Sequence, residues 1–332
     1  MAKHHTIQEK YLTQWRKSEL ENQLFIYVVA ENKIIERGPN WKEFWRNDYN
    51  ILDSDKDNYY LPESVTAHID SLGLAAIRKI DGKFQNQLSG EDRSAIAFYT
   101  ALQYIRTPKH REETNKLFEA KTKYYMRKDV ATHEAFQLSK DEVLKHIPET
   151  GQEEEALLKI GEMRDEEIKK QFFQLLYGDE LRVRLTNSGH SKSILKVDKK
   201  AQNLFDSQWL FLTAHQDEFF VTSDNPCYTI SKTKFLNGLL SPNSIVIFPL
   251  RPDLCIFIQP SLKSKNEFFM QLDKKQTQDI NHLTLANNHK CIVSKDKKQL
   301  ENMITGFDYK KHRPSRDVVI HESGDLVLFN LE

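Results

Sequence analysis

The sequence predicts an α+β fold: a mixed or antiparallel β-sheet formed by N-terminal and C-terminal strands, with a central α-helical region packed on it. Three observations predict this. A run of β-formers occupies 24–30, helical periodicity dominates 61–180, and after Gly189-His190-Ser191 the chain changes to short β-rich runs. The 332 residues read as one α+β domain, 1–332, with a helical subregion at 61–180 and a β-rich part at 205–332.

Taken in order, Leu24-Phe25-Ile26-Tyr27-Val28-Val29-Ala30 is a strand, and Glu31-Asn32-Lys33 is a polar break before Ile34-Ile35, which makes a hairpin. The stretch 50–60 is acidic but too aromatic for disorder, and reads as a loop packed on the body. Pro62, Glu63 and Ser64 start a helix, whose apolar face is Val65, Ile69, Leu72, Ala76, Ile77 and Ile80. Ser89, with Asp92 three residues on, caps a second helix, and Thr107-Pro108 kinks or ends it. Helical patterning continues over 111–145 and 153–176. Strands are expected at 209–213, 218–222, 228–230, 244–250 and 254–259, with Pro249 and Pro252 marking a sheet corner. A helix at 274–288, a strand at 290–294, a basic tail at 309–316 and one or two strands within 317–331 complete the chain.

Composition excludes several classes. Lys plus Arg and Asp plus Glu are equal at 48 each, so the strong basic field of a protein that coats nucleic acid nonspecifically is missing. Cys227, Cys255 and Cys291 are an odd number without zinc spacing and read as small buried residues in a reducing compartment. No apolar run is long enough to span a bilayer and the N-terminus lacks a signal-peptide core, so a cytoplasmic protein without a membrane partner is expected. Asp53, Asp55 and Asp57 alternate as in a calcium loop, but Asn58 replaces the turn glycine and Glu63 misses the bidentate position. His133-Glu134 lacks the second histidine of a zinc-protease helix, and there is no phosphate-binding glycine loop and no serine elbow around Ser223. No metal and no cofactor is expected.

Four segments together carry a resemblance. They are His4-His5-Thr6-Ile7-Gln8-Glu9-Lys10-Tyr11-Leu12, Ala101-Leu102-Gln103-Tyr104-Ile105-Arg106-Thr107-Pro108, Thr222-Ser223-Asp224-Asn225-Pro226 and Phe248-Pro249-Leu250. In this order the set resembles the bacterial domain-of-unknown-function 4238 family across nearly the whole chain. The resemblance implies architecture and site location; the family name implies no established activity. Ile7 stands where proline is common in such sequences, and Asp70 where glutamate is common in the first helix.

The same segments hold the candidate chemistry. His5 titrates near neutrality, which suits proton transfer, and Gln8 lies one turn on. Gln103 and Arg106 present an amide and a guanidinium on one helix face, fit to clamp phosphate or to form an ion pair with Asp224. Asp70 is either a pocket carboxylate or a surface one. Ser223, Asp224 and Asn225 lie at a strand end that Pro226 stiffens; Asp224 is a general base there, or it caps backbone amides in a turn. One expectation is a metal-independent nuclease or nucleotide-directed hydrolase in phage defence. In it His5 and Asp224 are catalytic, and Gln8, Asp70, Gln103, Arg106, Ser223 and Asn225 bind a nucleic acid or nucleotide. The other expectation is a non-enzymatic binding or scaffold protein with a protein partner, whose polar motifs are structural.

Overall fold

The computed structural model describes residues 3–18, 20–52, 60–81, 88–132, 161–178, 182–231, 235–236, 238–308, 315–320 and 326–331. The expectations that rest on Asp53, Asp55, Asp57, His133-Glu134 and 133–160 lie outside these residues, as does most of the basic tail. The chain folds into two compact units, one of Met1–Thr114, Leu185–Val319 and Val327–Glu332, and a second of Asn115–Arg184 and Ile320–Leu326.

The chain begins with β1 (Lys3–His5), α1 (Glu9–Leu12), β2 (Leu24–Val28), β3 (Lys33–Arg37) and β4 (Trp45–Asn47). Helices α2 (Leu61–Lys79), α3 (Gly90–Ile105), α4 (Pro108–Thr132) and α5 (Asp165–Tyr177) follow, then α6 (Asn187–Leu195) and α7 (Asp198–Phe205). Next come β5 (Gln208–Thr213), β6 (Thr222–Ser223), β7 (Tyr228–Ser231), β8 (Phe235–Leu236), β9 (Ser244–Arg251), β10 (Leu254–Gln259) and β11 (Glu267–Gln271). The last described elements are α8 (Lys274–Asn287), β12 (Cys291–Ser294), α9 (Lys297–Ile304), β13 (Ser315–Ile320) and β14 (Leu326–Leu331).

The architecture is α+β, with its strands divided among several sheets rather than gathered in one. A five-stranded sheet has the order β11-β5-β10-β9-β7 and is antiparallel except for the β11 and β5 pair. An antiparallel sheet of order β3-β2-β12-β6 joins the N-terminal hairpin to C-terminal strands, with Ile26 opposite Val293. β1 pairs with β4, His5 opposite Trp45. In the second unit Glu119 accepts hydrogen bonds from Lys123 at 2.9 Å and Arg182 at 3.5 Å.

Local rules set most boundaries. The Ser89 hydroxyl accepts from Asp92 N at 3.0 Å, which satisfies one of the free amides that start α3. α3 stops at Ile105, because Pro108 opens a new helix at its own first position. The strand expected at 218–222 forms only at Thr222–Ser223, since side chains replace the ladder before it. Val221 N donates to Asn281 Oδ1 (2.9 Å) and Phe219 N to Gln299 Oε1 (3.3 Å); Phe219 O accepts from both amides and Phe220 O accepts from Trp15 Nε1 (2.9 Å).

The core that positions the site lies between α2, α3 and the five-stranded sheet, where Tyr11 and Tyr99 both pack on Phe248, at 5.5 and 5.8 Å between ring centres. The Tyr11 hydroxyl donates to Pro249 O at 2.6 Å and contacts Thr222 Oγ1 at 2.7 Å. Three of the four signature segments therefore meet at one tyrosine. Helices α2 and α3 approach closely at Gly73, which packs against Tyr99 with no room for a Cβ.

Candidate functional site

The site is built where β1, α1, α2 and the end of α3 come together. Alternation along β1 turns His4 inward, fully buried, and leaves His5 partly exposed. His4 Nδ1 accepts from Asn50 N at 2.7 Å, so His4 is a core residue. His5 Nε2, at the end of β1, lies 3.7 Å from Glu9 Oε2, at the start of α1. Burial pushes the His5 pKa down, Glu9 opposes this, Arg106 pushes it down further, and Glu63 and Asp70 oppose. His5 therefore stands in the field of the Arg106–Asp70 pair.

That pair is the centre of the cluster. Arg106 Nη1 donates to Asp70 Oδ2 at 2.8 Å and Gln103 Nε2 reaches Asp70 Oδ1 at 3.4 Å, while Arg106 itself is fully buried. Arg106 thus pairs with Asp70 and not with Asp224. Burial raises the Asp70 pKa, and the guanidinium pulls the other way. Arg106 Nε and Nη2 and Gln103 Oε1 are buried without a hydrogen-bond partner among the described residues. Gln8 Oε1 accepts from the Tyr99 hydroxyl at 2.9 Å, and Asn50 Nδ2 donates to Glu63 Oε2 at 3.1 Å, so both edges of the cluster are held.

Ser223, Asp224 and Asn225 form a second cluster. Asp224 accepts from three successive backbone amides, His289 N (2.9 Å), Lys290 N (2.7 Å) and Cys291 N (3.3 Å), where the chain turns from α8 into β12. Burial is the largest influence on its pKa and pushes it up, against the pull of His289 and those amides. The Ser223 hydroxyl accepts from Asn225 N (3.1 Å), and Asn225 Nδ2 donates to Asn287 O (2.9 Å). Thr107 Oγ1 donates to Asn225 Oδ1 at 3.2 Å, which ties the corner directly after Arg106 to this turn. The two clusters are neighbours through Thr107, yet their carboxylates do different work. Asp70 faces a cation, and Asp224 holds a turn.

With the signature residues placed, the comparison with known families becomes specific. Residues 3–298 match the family described as Protein of unknown function (DUF4238). The chain belongs to this family. No functionally curated protein and no solved structure matches it. In this DUF4238 chain the opening, the end of α3, the β6 corner and the Phe248-Pro249-Leu250 strand converge on one region of the first unit.

Several residues of the site escaped sequence reasoning. Glu9 and Glu63 act on His5, Tyr99 holds Gln8, and Asn50 links His4 to Glu63. Spacing could have found some of them. Tyr99, Gln103 and Arg106 stand at i, i+4 and i+7 on α3, and Glu63 and Asp70 are seven apart on α2, so each set shares a face. Among the described residues no three His, Cys, Asp or Glu side chains are grouped to hold a metal ion, and no described helix is long and apolar enough to cross a membrane.

Chemically, the cluster offers a buried cation with two free donors, a histidine whose neutral form is favoured, and a carboxylate that fixes the cation. Such a set can hold an oxyanion and move a proton beside it.

Proposed function

We propose that the chain is a metal-independent nuclease or nucleotide-directed hydrolase, in which Arg106 holds the phosphate and His5 moves the proton. One observation carries the reading. Asp70 occupies only Nη1 of Arg106, and the opposite edge of the guanidinium, Nε with Nη2, is buried and unpartnered. Those two nitrogens present parallel N–H bonds, the arrangement that meets two oxygens of a phosphate. A buried donor without an acceptor costs about 1–3 kcal/mol, and more when charged, so an oxyanion at that edge relieves a penalty the fold otherwise carries.

In this reading the depressed pKa of His5 favours a neutral ring that can accept a proton at pH 7. Asp70 and Gln103 orient the guanidinium, and Gln8 and Ser223 are offered to substrate. Asp224 and Asn225 act as positioning residues, because they anchor Thr107 and with it the corner next to Arg106. The three buried free thiols support a reducing compartment, and we place the activity in the bacterial cytoplasm, directed against phage nucleic acid.

Expression of the wild type beside His5→Ala and Arg106→Gln, with growth and RNA and DNA integrity followed, tests the reading. Slowed growth and degraded nucleic acid are expected with the wild type alone. Equal growth and intact nucleic acid for all three folded proteins would overturn it. A non-enzymatic binding protein is the second reading. The three backbone amides on Asp224 favour it, since a carboxylate that accepts from all three is satisfied without a substrate.

A further inference from the structure

Another group of basic side chains gathers where α4, α6 and α7 approach one another. Arg111 is 6 % exposed, and its guanidinium bonds only to neutral oxygens. Nη2 donates to Tyr49 O and Asn50 Oδ1, both at 2.9 Å, Nη1 to Asn187 Oδ1 at 3.3 Å, and the Tyr49 ring centre lies 3.3 Å from Cζ. No described carboxylate is paired with it. Burial and then Lys200, His190 and Arg111 push the His110 pKa down, so four basic side chains share one neighbourhood.

Donors without acceptors lie in the same place. The Tyr49 hydroxyl, His110 Nδ1 and Ser191 Oγ are buried and have no hydrogen-bond partner among the described residues. Asn187, His190 and Ser191 stand at i, i+3 and i+4 on α6, on one face, and the bond from Asn187 to Arg111 turns that face toward α4. His110 Nε2 is 3.5 Å from Thr114 Oγ1, too long to fix the tautomer, so Nδ1 is able to carry the proton. A buried cation such as Arg111 without a described anion and buried donors without an acceptor are each costly, and one oxyanion satisfies both.

We propose that Arg111, His110, His190, Ser191 and Lys200 form a phosphate-binding site, separate from the Arg106–Asp70 pair. The donors approach from three helices rather than in one plane, which suits a tetrahedral anion with acceptors on every side better than a planar carboxylate. The phosphate is either free or carried by a nucleotide. This site takes no part in the proposed hydrolysis and does not rest on it.

Isothermal titration of the full chain with inorganic phosphate and, separately, with AMP tests the proposal, each against chloride at matched ionic strength. Saturable binding of at least one is expected. Lys200→Met weakens it about tenfold, the loss of one charge-assisted hydrogen bond, and Ser191→Ala weakens it by less. Arg106→Gln leaves in place the binding event that Lys200→Met weakens and removes at most a second one at the Arg106–Asp70 pair, which separates this site from the hydrolase reading. AMP binding tighter than phosphate assigns a nucleotide, and the reverse assigns the free anion. No saturable binding of either, or binding that Arg106→Gln abolishes and Lys200→Met and Ser191→Ala leave intact, would overturn the proposal.

Discussion

Replacing Gly73 by alanine sets two ordinary effects against each other. In a helix interior the change favours alanine by about 1 kcal/mol, because glycine loses more backbone freedom on folding. Here, however, a Cβ at position 73 would stand 2.3 Å from Tyr99 Cβ, 2.5 Å from Cγ and 2.8 Å from Cδ2. Carbon contacts are optimal from roughly 3.5 Å, so the shortest is about 1.2 Å too close. The clashing atom is the Cβ of Tyr99, which no rotamer can move. Helices α2 and α3 must therefore separate, at a cost toward the upper end of the about 1–3 kcal/mol typical of overpacking. Packing wins by about 2 kcal/mol, which lowers the melting temperature by roughly 4–8 °C. The same separation pulls Asp70 on α2 away from Arg106, just past the end of α3, so the hydrolysis proposed above should fall too. Thermal unfolding followed by circular dichroism reads the first effect directly. A Gly73→Ala protein that melts at or above the wild-type temperature would refute the packing argument.

Other perturbations test other links. Asp224→Ala leaves three amides, at His289, Lys290 and Cys291, without their acceptor, and about 3 kcal/mol or more of stability should be lost in urea titration; a fully stable but inactive variant would instead mark Asp224 as a catalytic base. Asp70→Ala strands a buried guanidinium and should cost about 3–5 kcal/mol, whereas Asp70→Leu combined with Arg106→Met should recover most of that loss while abolishing activity. A double variant no more stable than Asp70→Ala would argue against an isolated ion pair. Burial lowers His110 from 6.5 to about 3 and His190 from 6.5 to about 4. Between those values the unfolded chain binds the proton first, so stability should fall as pH drops below 6.5, by up to about 1.4 kcal/mol per unit for a fully buried histidine. Melting curves from pH 7.5 to 4.5 should show a shallower fall for His110→Gln, and an unchanged slope would contradict this.

Elements governed by neighbours in sequence were legible, and those governed by distant side chains were not. Ser89, Pro108 and the Glu31-Asn32-Lys33 break act within a few residues, and the helix starts and the hairpin follow from them. Glu218 to Val221 carries strand-forming residues, yet Asn281 and Gln299, more than sixty residues on, take its backbone bonds instead. The parallel strand β11 and the short helices α6, α7 and α9 were not foreseen either, since their patterns are brief. At the site, residue types and segments were readable, but the pairing was not. Nothing in the spacing of Asp70, Arg106 and Asp224 says which carboxylate meets the guanidinium, because that is decided by how α2 packs on α3 at Gly73. The inward turn of His4 is hidden for a similar reason, since only recognition of the three-residue strand β1 tells which of two adjacent histidines points inward.

The anchoring of the N-terminal segment sets an order of events during synthesis. Tyr11 and Trp15 find their partners at Pro249 and Phe220, over two hundred residues later. At about 5–20 residues per second the ribosome needs roughly ten to fifty seconds to deliver them. Until then the segment bearing His5 and Gln8 has its contacts with β4, Asn50 and Tyr99 but lacks its anchors at Phe220 and Pro249. The seating of the N-terminal segment is therefore completed only once β9 has emerged, late in synthesis.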